Sequence, residues 1–300
     1  MKAVRLGFDV KEEISMSILT SGHRIVLGLA VLLAPLGLLG QTSSICGEGN
    51  GTLNPAQPSG ATPQQIIEKF AAKEAMFKQA RNNYTYTQDI SVQTLDGNTV
   101  TGEYRLVQDI TYDDKGGRVE DVKFAPQSTL QGVTMSPSDF EDFRTMMAFI
   151  LTTDDLPKYN LLYAGQQHVD EIDTYVFDIA PKTIEKGHRY FQGRLWVDSR
   201  DFQIVKSCGK TVPQVIATKK KKNVEEDLSP TFVTYREQID GEYWFPTYTR
   251  ADETLHFRTS DAHIREVVKY TNYKRFGSTT RIVFKGEVKD DKSPQPAKKP

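Results

Sequence analysis

Five short turn signals, each built on Asp, Asn or Gly, divide most of this 300-residue chain into segments rich in β-branched and aromatic residues. Asp, Asn and Gly supply the backbone conformations that tight hairpin turns require, whereas Val, Ile, Thr, Tyr and Phe favour strands. The turns are Asp96–Asn98, Asp113–Gly117, Asp170–Asp173, Asp198–Asp201 and Asp240–Gly241. Because hairpins that follow one another in sequence build one antiparallel sheet, the chain is predicted to be mainly β.

The segments between and around these turns predict ten or eleven strands. A sheet with so many strands tends to curl, and its concave side must then be covered or filled. The predicted strands are Tyr84–Thr94, Val100–Tyr112, Arg118–Phe124, Leu161–Val169, Thr174–Ala180, Tyr190–Val197, Phe202–Cys208, Thr231–Ile239, Tyr243–Arg250, Leu255–Thr259 and Arg265–Phe276.

Two amphipathic helices are the natural cover for the concave side. The first starts at the N-cap Thr62, with Pro63 and Gln65 in the positions of a capping box, and should end near Arg81 to Asn83. The second is predicted over Ser138 to Thr152, capped by Ser136. The predicted fold is therefore α+β, a strongly curved antiparallel sheet covered by two helices.

The two ends of the chain differ from this domain. Residues 25–40 are uncharged and mostly apolar, follow His23 and Arg24, and precede small polar residues, which is the layout of a secretory signal peptide. A retained membrane anchor is the alternative. We predict a signal peptide over residues 1–44, whose true start could be Met16, a flexible linker over 45–61, the β domain over 62–285 and a disordered tail over 286–300. Export would place the mature protein in the periplasm or cell envelope.

The chain has two cysteines, Cys46 and Cys208. An oxidising compartment would permit a disulfide between them, and two free thiols are the alternative. Cys46 also follows the predicted signal closely enough for a lipid anchor to be considered, although Ile45 fits poorly at the small-residue position before a lipidated cysteine. The sequence leaves the three states open.

Composition and motifs exclude several functions. The 38 basic and 39 acidic residues give a net charge of -1, so there is no general excess of positive charge for nucleic acid. The spacing of the histidines gives no metal motif, and no phosphate-binding loop or nucleophile elbow occurs. We predict no catalytic residues, no metal and no cofactor.

The concentration of apolar and aromatic residues is the feature that most invites a function. Plain core packing explains each residue alone, but together they could line an apolar cavity for an acyl chain. Because Leu195 with Val197 and Trp196 cannot all face inward from one strand, we expect Trp196 to be inward. The candidate lining is Ile66, Phe70, Phe77, Phe140, Phe143, Met147, Leu195, Trp196, Val197 and Trp244.

Three segments resemble bacterial outer-membrane lipoprotein-sorting proteins. Residues 193–198 (GRLWVD), followed by Asp201, Ile204 and Lys206, resemble the G-x-x-W-V-D hairpin of that family. Residues 240–246 (DGEYWFP) and 267–276 (VVKYTNYKRF) are similar to its next hairpin and its final strand. The N-terminal helix and strand, residues 62–92, also fit, and the resemblance covers about residues 62 to 284.

The resemblance implies an unclosed β-barrel that holds the acyl chains of lipoproteins in an apolar cavity without catalysis. We therefore expect a periplasmic binding protein for lipid or lipoprotein acyl chains. An envelope sensor or scaffold that binds a protein partner on the same fold is the first alternative, and an exported enzyme of unrecognised type is the second.

Overall fold

Each of the ten strands in the described residues pairs antiparallel with its neighbours in a single sheet. The computed structural model describes residues 45–213, 229–257 and 260–276. The strands are β1 Tyr84–Asp96, β2 Thr99–Tyr112, β3 Arg118–Phe124, β4 Tyr159–Val169, β5 Ile172–Pro181, β6 Tyr190–Asp198, β7 Ile204–Val212, β8 Phe232–Ile239, β9 Tyr243–His256 and β10 Asp261–Arg275. Their order across the sheet is β3-β2-β1-β10-β9-β8-β7-β6-β5-β4.

The predicted mainly β fold is confirmed, and the sheet does not close into a barrel. All but one pair of neighbouring strands in the sheet are also consecutive in sequence. The exception joins β1 to β10, for instance Ile90 to Val268. Because this pairing lies inside the sheet, β3 and β4 form its two edges, and residues 125–158 must lead from one edge to the other.

The strong curvature follows from how the core is assembled. Ten flat strands would be about 43 Å across at the usual strand spacing, whereas a helix with its side chains is only about 10–12 Å wide. Yet one continuous apolar cluster contains Phe70 of the long helix, Ile90 of β1, Phe177 of β5 and Val268 of β10. The sheet must curl around the helix to bring these strands together.

The long helix, α1 Pro63–Ala80, starts as its sequence predicts. Thr62 Oγ1 accepts from the Gln65 backbone N–H at 3.2 Å, and the Gln65 side chain accepts from the Thr62 N–H at 2.8 Å. A 3₁₀ turn, Arg81–Asn83, ends the helix where the sequence predicts. Its buried face comprises Ile66, Ile67, Phe70, Ala71, Glu74 and Phe77.

The second predicted helix is much shorter than Ser138 to Thr152. The structure has α2 Pro137–Glu141, one π-helical turn Asp142–Met146, and then non-helical chain. The helix does not continue because the carbonyl oxygens of Met147 and Phe149 accept hydrogen bonds from side chains of β8 instead of from N–H groups of a next helical turn. We call residues 142–151 the plug, because they fill the concave side of the sheet.

The first part of the predicted flexible linker over residues 45–61 contacts the sheet. Residues 45–54, which we call the strap, begin with the 3₁₀ turn Ile45–Gly47 and run along the edge strand β4. The strap backbone bonds to that of β4 at Gln166 and His168, at 2.7–2.8 Å. On the convex face, Ile45, Cys46 and Leu53 of the strap pack against a small second core around Trp196.

Other sequence predictions are corrected in detail or lie outside the described residues. The first two residues of the separate strand predicted at Leu255–Thr259 are the end of β9, which runs on to His256, and residues 258–259 lie outside the described residues. A 3₁₀ turn, Leu156–Lys158, precedes β4. The predicted signal peptide and the predicted tail over 286–300 lie outside the described residues. No helix in the described ranges is long and apolar enough to cross a membrane.

Candidate functional site

Six of the ten predicted lining residues meet in one buried cluster on the concave side. Phe140 packs against this cluster while only half-buried, and Phe77 belongs to a neighbouring cluster with Tyr84 and Phe245. The six are Ile66, Phe70, Phe143, Met147, Leu195 and Val197. That they line a ligand cavity stays a prediction, because in this structure they contact one another.

The expectation that Trp196 points inward is wrong. Leu195 and Val197 face α1, so the alternation of the strand sends Trp196 to the convex face, where it packs with Val176 and Cys208. Its indole Nε1 donates to Gln167 Oε1 at 2.7 Å. Trp244 also leaves the concave set, since its side chain packs beside the convex cluster and its Nε1 donates to Asp201 Oδ2 at 2.9 Å.

The plug fills the concave side of the sheet with apolar side chains. Phe149 stacks on Phe191 of β6 with ring centroids 4.7 Å apart and meets Tyr159 edge-on at 5.8 Å. Leu151 is fully buried in the same cluster. A cavity of only about 20 Å³, room for about one water, remains beside Phe143 and Met147.

The plug is attached to the sheet through its backbone. Gln88 of β1 donates to the Phe143 carbonyl at 3.3 Å, and Thr234 of β8 donates to the Met147 carbonyl at 2.6 Å. Arg236, two residues further along β8, donates to the Phe149 carbonyl. Three polar side chains of the concave face thus hold three carbonyls of one segment.

Arg236 also joins the plug to α1. Its Nη1 donates to the two carboxylate oxygens of Glu74 at 2.9 and 3.2 Å, and both side chains are at most 2% exposed. Burial raises the pKa of Glu74, and the charge and hydrogen bonds of Arg236 act in the opposite direction. The Arg236 guanidinium lies 5.4 Å from the Phe77 ring centre. One arginine therefore connects sheet, helix and plug inside the core.

Sequence reasoning missed both members of this pair, although each leaves a periodic signal. Glu74 lies four residues after Phe70 and three before Phe77, which places it on the apolar stripe of α1. Arg236 follows Phe232 and Thr234 at alternate positions, which places it on the inward face of β8. A charged residue in a buried periodic position on each of two elements is the pattern that indicates such a pair.

A cavity of about 1050 Å³, open to solvent, lies on the convex face. It is bordered by the strap, by β4 to β7 and by the disulfide between Cys46 and Cys208, whose sulfurs are 2.00 Å apart. Because the Cys46 sulfur is bonded to Cys208, it is not free to carry a lipid in this structure. Gly193 and Gly209 form the floor, and the Asp178–Arg194 ion pair, at 2.7 Å, stands beside them.

The described histidines lie near hairpin turns or in loops. His168 with Asp173, His256 with Asp261 and His263 with Asp252 form surface pairs at 2.6–3.1 Å near hairpin turns. His188 lies 3.9 Å from Glu185 in the loop after β5. Among the described residues, no group of three or more His, Cys, Asp or Glu side chains is arranged to hold a metal ion.

Comparisons with known proteins give similarities to solved structures alone. No family model and no curated protein sequence matches the chain. A DUF1329 family protein from Desulfovibrio piger shares 14% identity over 73% of this chain and 96% of its own, with a TM-score of 0.39. A LolA superfamily protein from Nitrosomonas europaea shares 13% identity over 72% of this chain and 95% of its own, with a TM-score of 0.32.

A putative outer membrane lipoprotein-sorting protein domain from Vibrio parahaemolyticus is also similar. It shares 10% identity over 72% of this chain and 95% of its own, with a TM-score of 0.35. The structural search thus returns the lipoprotein-sorting group that the hairpin motifs resemble. With TM-scores below 0.5, these similarities carry no conclusion about the function of this chain.

Proposed function

We propose that this chain is an exported, non-catalytic protein that holds acyl chains of a lipid or lipoprotein against the concave face of its sheet. The observation that carries the proposal is the plug. Side chains of the sheet donate three hydrogen bonds to carbonyls of the plug. The plug fills an apolar hollow that the sheet and α1 would otherwise leave open. When the plug moves out, the hollow can receive an acyl chain.

The energies of this exchange are balanced. Returning the four apolar side chains of the plug to water costs about 1.5–3 kcal/mol each, and its three hydrogen bonds are worth about 0.5–1.5 kcal/mol each. Burying a sixteen-carbon chain gains about 12 kcal/mol at about 0.8 kcal/mol per CH₂ group. The two sums are of similar size, so a ligand can displace the plug and the plug can displace the ligand, as reversible carriage requires. The four side chains are Phe143, Met147, Phe149 and Leu151.

The disulfide supports the exported location that the leader predicts. Disulfides persist in oxidising compartments such as the bacterial periplasm and are rare in the cytosol. The bond between Cys46 and Cys208 ties the first described residues of the chain to β7. A periplasmic protein that carries lipid between membranes needs an apolar site and no catalyst, and the concave face would provide such a site once the plug has moved out.

Two isosteric substitutions of opposite polarity test the proposal. Thr234→Val removes the hydrogen bond to the Met147 carbonyl and leaves an apolar side chain of the same shape, so the plug should open more often. Val268→Thr adds a hydroxyl to the fully buried concave face and makes it a poorer surface for an acyl chain. Both proteins should be produced from the full chain and recovered from an exporting host.

Affinity for a fluorescent sixteen-carbon fatty acid should change in opposite directions. Because apparent affinity scales with the fraction of open protein, Thr234→Val should bind about 3–10-fold more tightly, and Val268→Thr should bind more weakly. Native mass spectrometry should also show lipid that copurifies with the parent protein. An unliganded mass together with no binding of the fatty acid would reject the proposal.

A protein partner is the second candidate, and one observation favours it. The edge strand β3 exposes Val119, Val122 and Phe124, each between 46% and 54%, and pairs on one side with β2. An open edge that carries apolar side chains is suited to the addition of a partner strand. If this is the function, Val122→Lys should abolish partner binding and leave the fatty-acid titration unchanged.

A further inference from the structure

A cavity of about 440 Å³ with a cationic lining lies at one open end of the concave side. The cavity lies between the C-terminal end of α1, the outer surface of the plug, the start of β4 and the loop between β5 and β6. Its apolar wall includes Phe149 and Tyr159, which also belong to the main core. We call this cavity the basic mouth; its cationic side chains are Lys78, Arg81, Arg144, Lys158 and Arg189.

Three of these five cations are already paired. Arg144 binds Glu120 through two bonds of 2.8 Å, Arg189 binds Asp142 at 2.5 and 2.9 Å, and Lys158 binds Asp155 at 2.9 Å. The remaining acid of the lining, Glu185, lies 3.9 Å from His188.

Lys78 and Arg81 are the two cations of the basic mouth that form no such ion pair with a described residue. Within the described ranges, neither has a carboxylate within 4 Å. Both lie at the C-terminal end of α1, where the helix dipole favours positive charge. The dipole accounts for the charge there, but it supplies no acceptor for the N–H groups of a guanidinium.

Arg81 has a hydrogen-bond donor that lacks an acceptor among the described residues. Its Nε is shielded from solvent and has no hydrogen-bond acceptor among the described residues. The guanidinium carbon lies 5.4 Å from the Tyr112 ring centre, which fixes the head at the boundary between the mouth and a small aromatic pocket. A charged donor removed from water without an acceptor is unfavourable, so the Arg81 guanidinium, which borders the mouth, would gain from an anionic oxygen that reached it.

We infer that the basic mouth binds the anionic headgroup, a phosphate or a carboxylate, of the lipid whose acyl chain enters the concave side. The inference rests on the proposed function and adds the class of ligand. Phe149 connects the two parts, because one side of it lines the mouth and the other stacks on Phe191 inside the core. A headgroup bound beside Lys78 and Arg81 would place the first carbons of its chain against the residue that must move.

The test compares two amphiphiles of equal chain length, a lysophosphatidic acid and the corresponding neutral monoacylglycerol. The variants are Lys78→Gln, Arg81→Gln and both together, and Lys269→Gln, an exposed lysine of β10, is the matched control. The double variant should bind the anionic lipid at least tenfold more weakly and the neutral lipid within twofold of the parent. Added salt should weaken the anionic lipid alone, since exposed charge interactions are screened.

Each outcome separates the mouth from the concave site. If the parent binds both amphiphiles and the double variant binds both with parental affinity, the inference about the mouth fails and the proposed function stands. If the parent binds neither, the proposed function itself fails. A mouth that binds inorganic phosphate as tightly as the lysophosphatidic acid would overturn the headgroup assignment in favour of a site for free anions.

Discussion

Arg236 on β8 and Glu74 on α1, 162 residues apart in sequence, form an ion pair that is almost completely excluded from solvent. The same guanidinium binds the Phe149 carbonyl, so the charge of one side chain holds helix, sheet and plug together. Removing one partner of a buried pair leaves the other charge without compensation, which costs far more than the pair contributes.

Arg236→Met should therefore lower the free energy of unfolding by roughly 3–5 kcal/mol. The double variant Glu74→Leu with Arg236→Met should recover much of that loss, because no isolated charge then remains in the core. Urea denaturation measures both. The control is Arg105→Met, which breaks the exposed pair with Asp89 and should cost less than about 1 kcal/mol. Equal losses at Arg236 and Arg105 would contradict the argument.

The disulfide between Cys46 and Cys208 should contribute substantially to stability. The two cysteines are 162 residues apart, so the bond closes most of the β domain into one loop and restricts the unfolded chain. Replacing both by serine should lower the free energy of unfolding by about 2–5 kcal/mol. Reducing agent should lower the melting temperature of the parent and leave that of the double serine variant unchanged. A parent that is insensitive to reduction would show that the bond does not form.

The strap should remain attached when this disulfide is lost. Lys206 of β7 donates to the Glu48 carbonyl at 2.6 Å and to Asn50 Oδ1 at 2.8 Å, and its ammonium lies 4.9 Å from the Trp196 ring centre. Burial lowers the pKa of Lys206 to about 8. Adding Lys206→Met to the double serine variant should therefore expose residues 45–54 to limited proteolysis, whereas the double serine variant alone should resist cleavage there.

Gly193 should tolerate no side chain. It faces Gly209 across the β6–β7 pair, and a Cβ at residue 193 would lie 2.2 Å from the Cys208 carbonyl oxygen and 2.5 Å from the Gly209 Cα. Both obstacles are backbone atoms, so a neighbouring rotamer change cannot relieve them. Gly193→Ala should destabilise the fold by roughly 1–3 kcal/mol. Gly47→Ala, with no atom within 4 Å of its Cβ, is the control and should leave stability nearly unchanged.

Local patterns in the sequence predict most of the fold. Asp170 and Asp240 adopt positive φ angles of 49° and 56° in hairpin turns, which is the behaviour that makes Asp and Gly recognisable turn residues. The capping box at Thr62 likewise fixes where α1 begins. These features depend on residues a few positions apart, so a single sequence contains all the information needed.

The parts that escape prediction depend on distant residues. The β1–β10 pairing, the attachment of the strap to β4 and the Arg236–Glu74 pair each join segments over one hundred residues apart. The predicted second helix is too long because its apolar spacing continues to Ile150, whereas Thr234 and Arg236 donate hydrogen bonds to carbonyls that a longer helix would use internally. The expected inward orientation of Trp196 is wrong because strand alternation defines two opposite faces but not which of them is concave.

Glu266 on β10 should make the closed plug sensitive to pH. It is 8% exposed, its Oε2 has no hydrogen-bond partner among the described residues, and it faces Asp139 and Asp142 across a cavity of about 20 Å³. Burial, reinforced by the two aspartates, raises the pKa of Glu266 to about 8. Arg189 forms an ion pair with Asp142, and among the described residues no cation lies within 4 Å of the Glu266 carboxylate.

The folded protein therefore binds the Glu266 proton more tightly than the unfolded chain does. Stability from this residue is complete below a pH of about 4.5 and falls as the pH rises towards 8, by about 1.4 kcal/mol for each pKa unit of difference. Glu266→Gln, which imitates the protonated acid, should be only slightly more stable than the parent at pH 5 and much more stable at pH 9. Urea denaturation across this range gives the difference, with Glu237→Gln on the exposed side of β8 as control. Because the charge repels Asp139 and Asp142 where the plug begins, the parent should also bind fatty acid relatively more tightly above pH 8 than Glu266→Gln does.

A constant stability difference between parent and Glu266→Gln from pH 5 to 9 would show that Glu266 does not ionise within the fold.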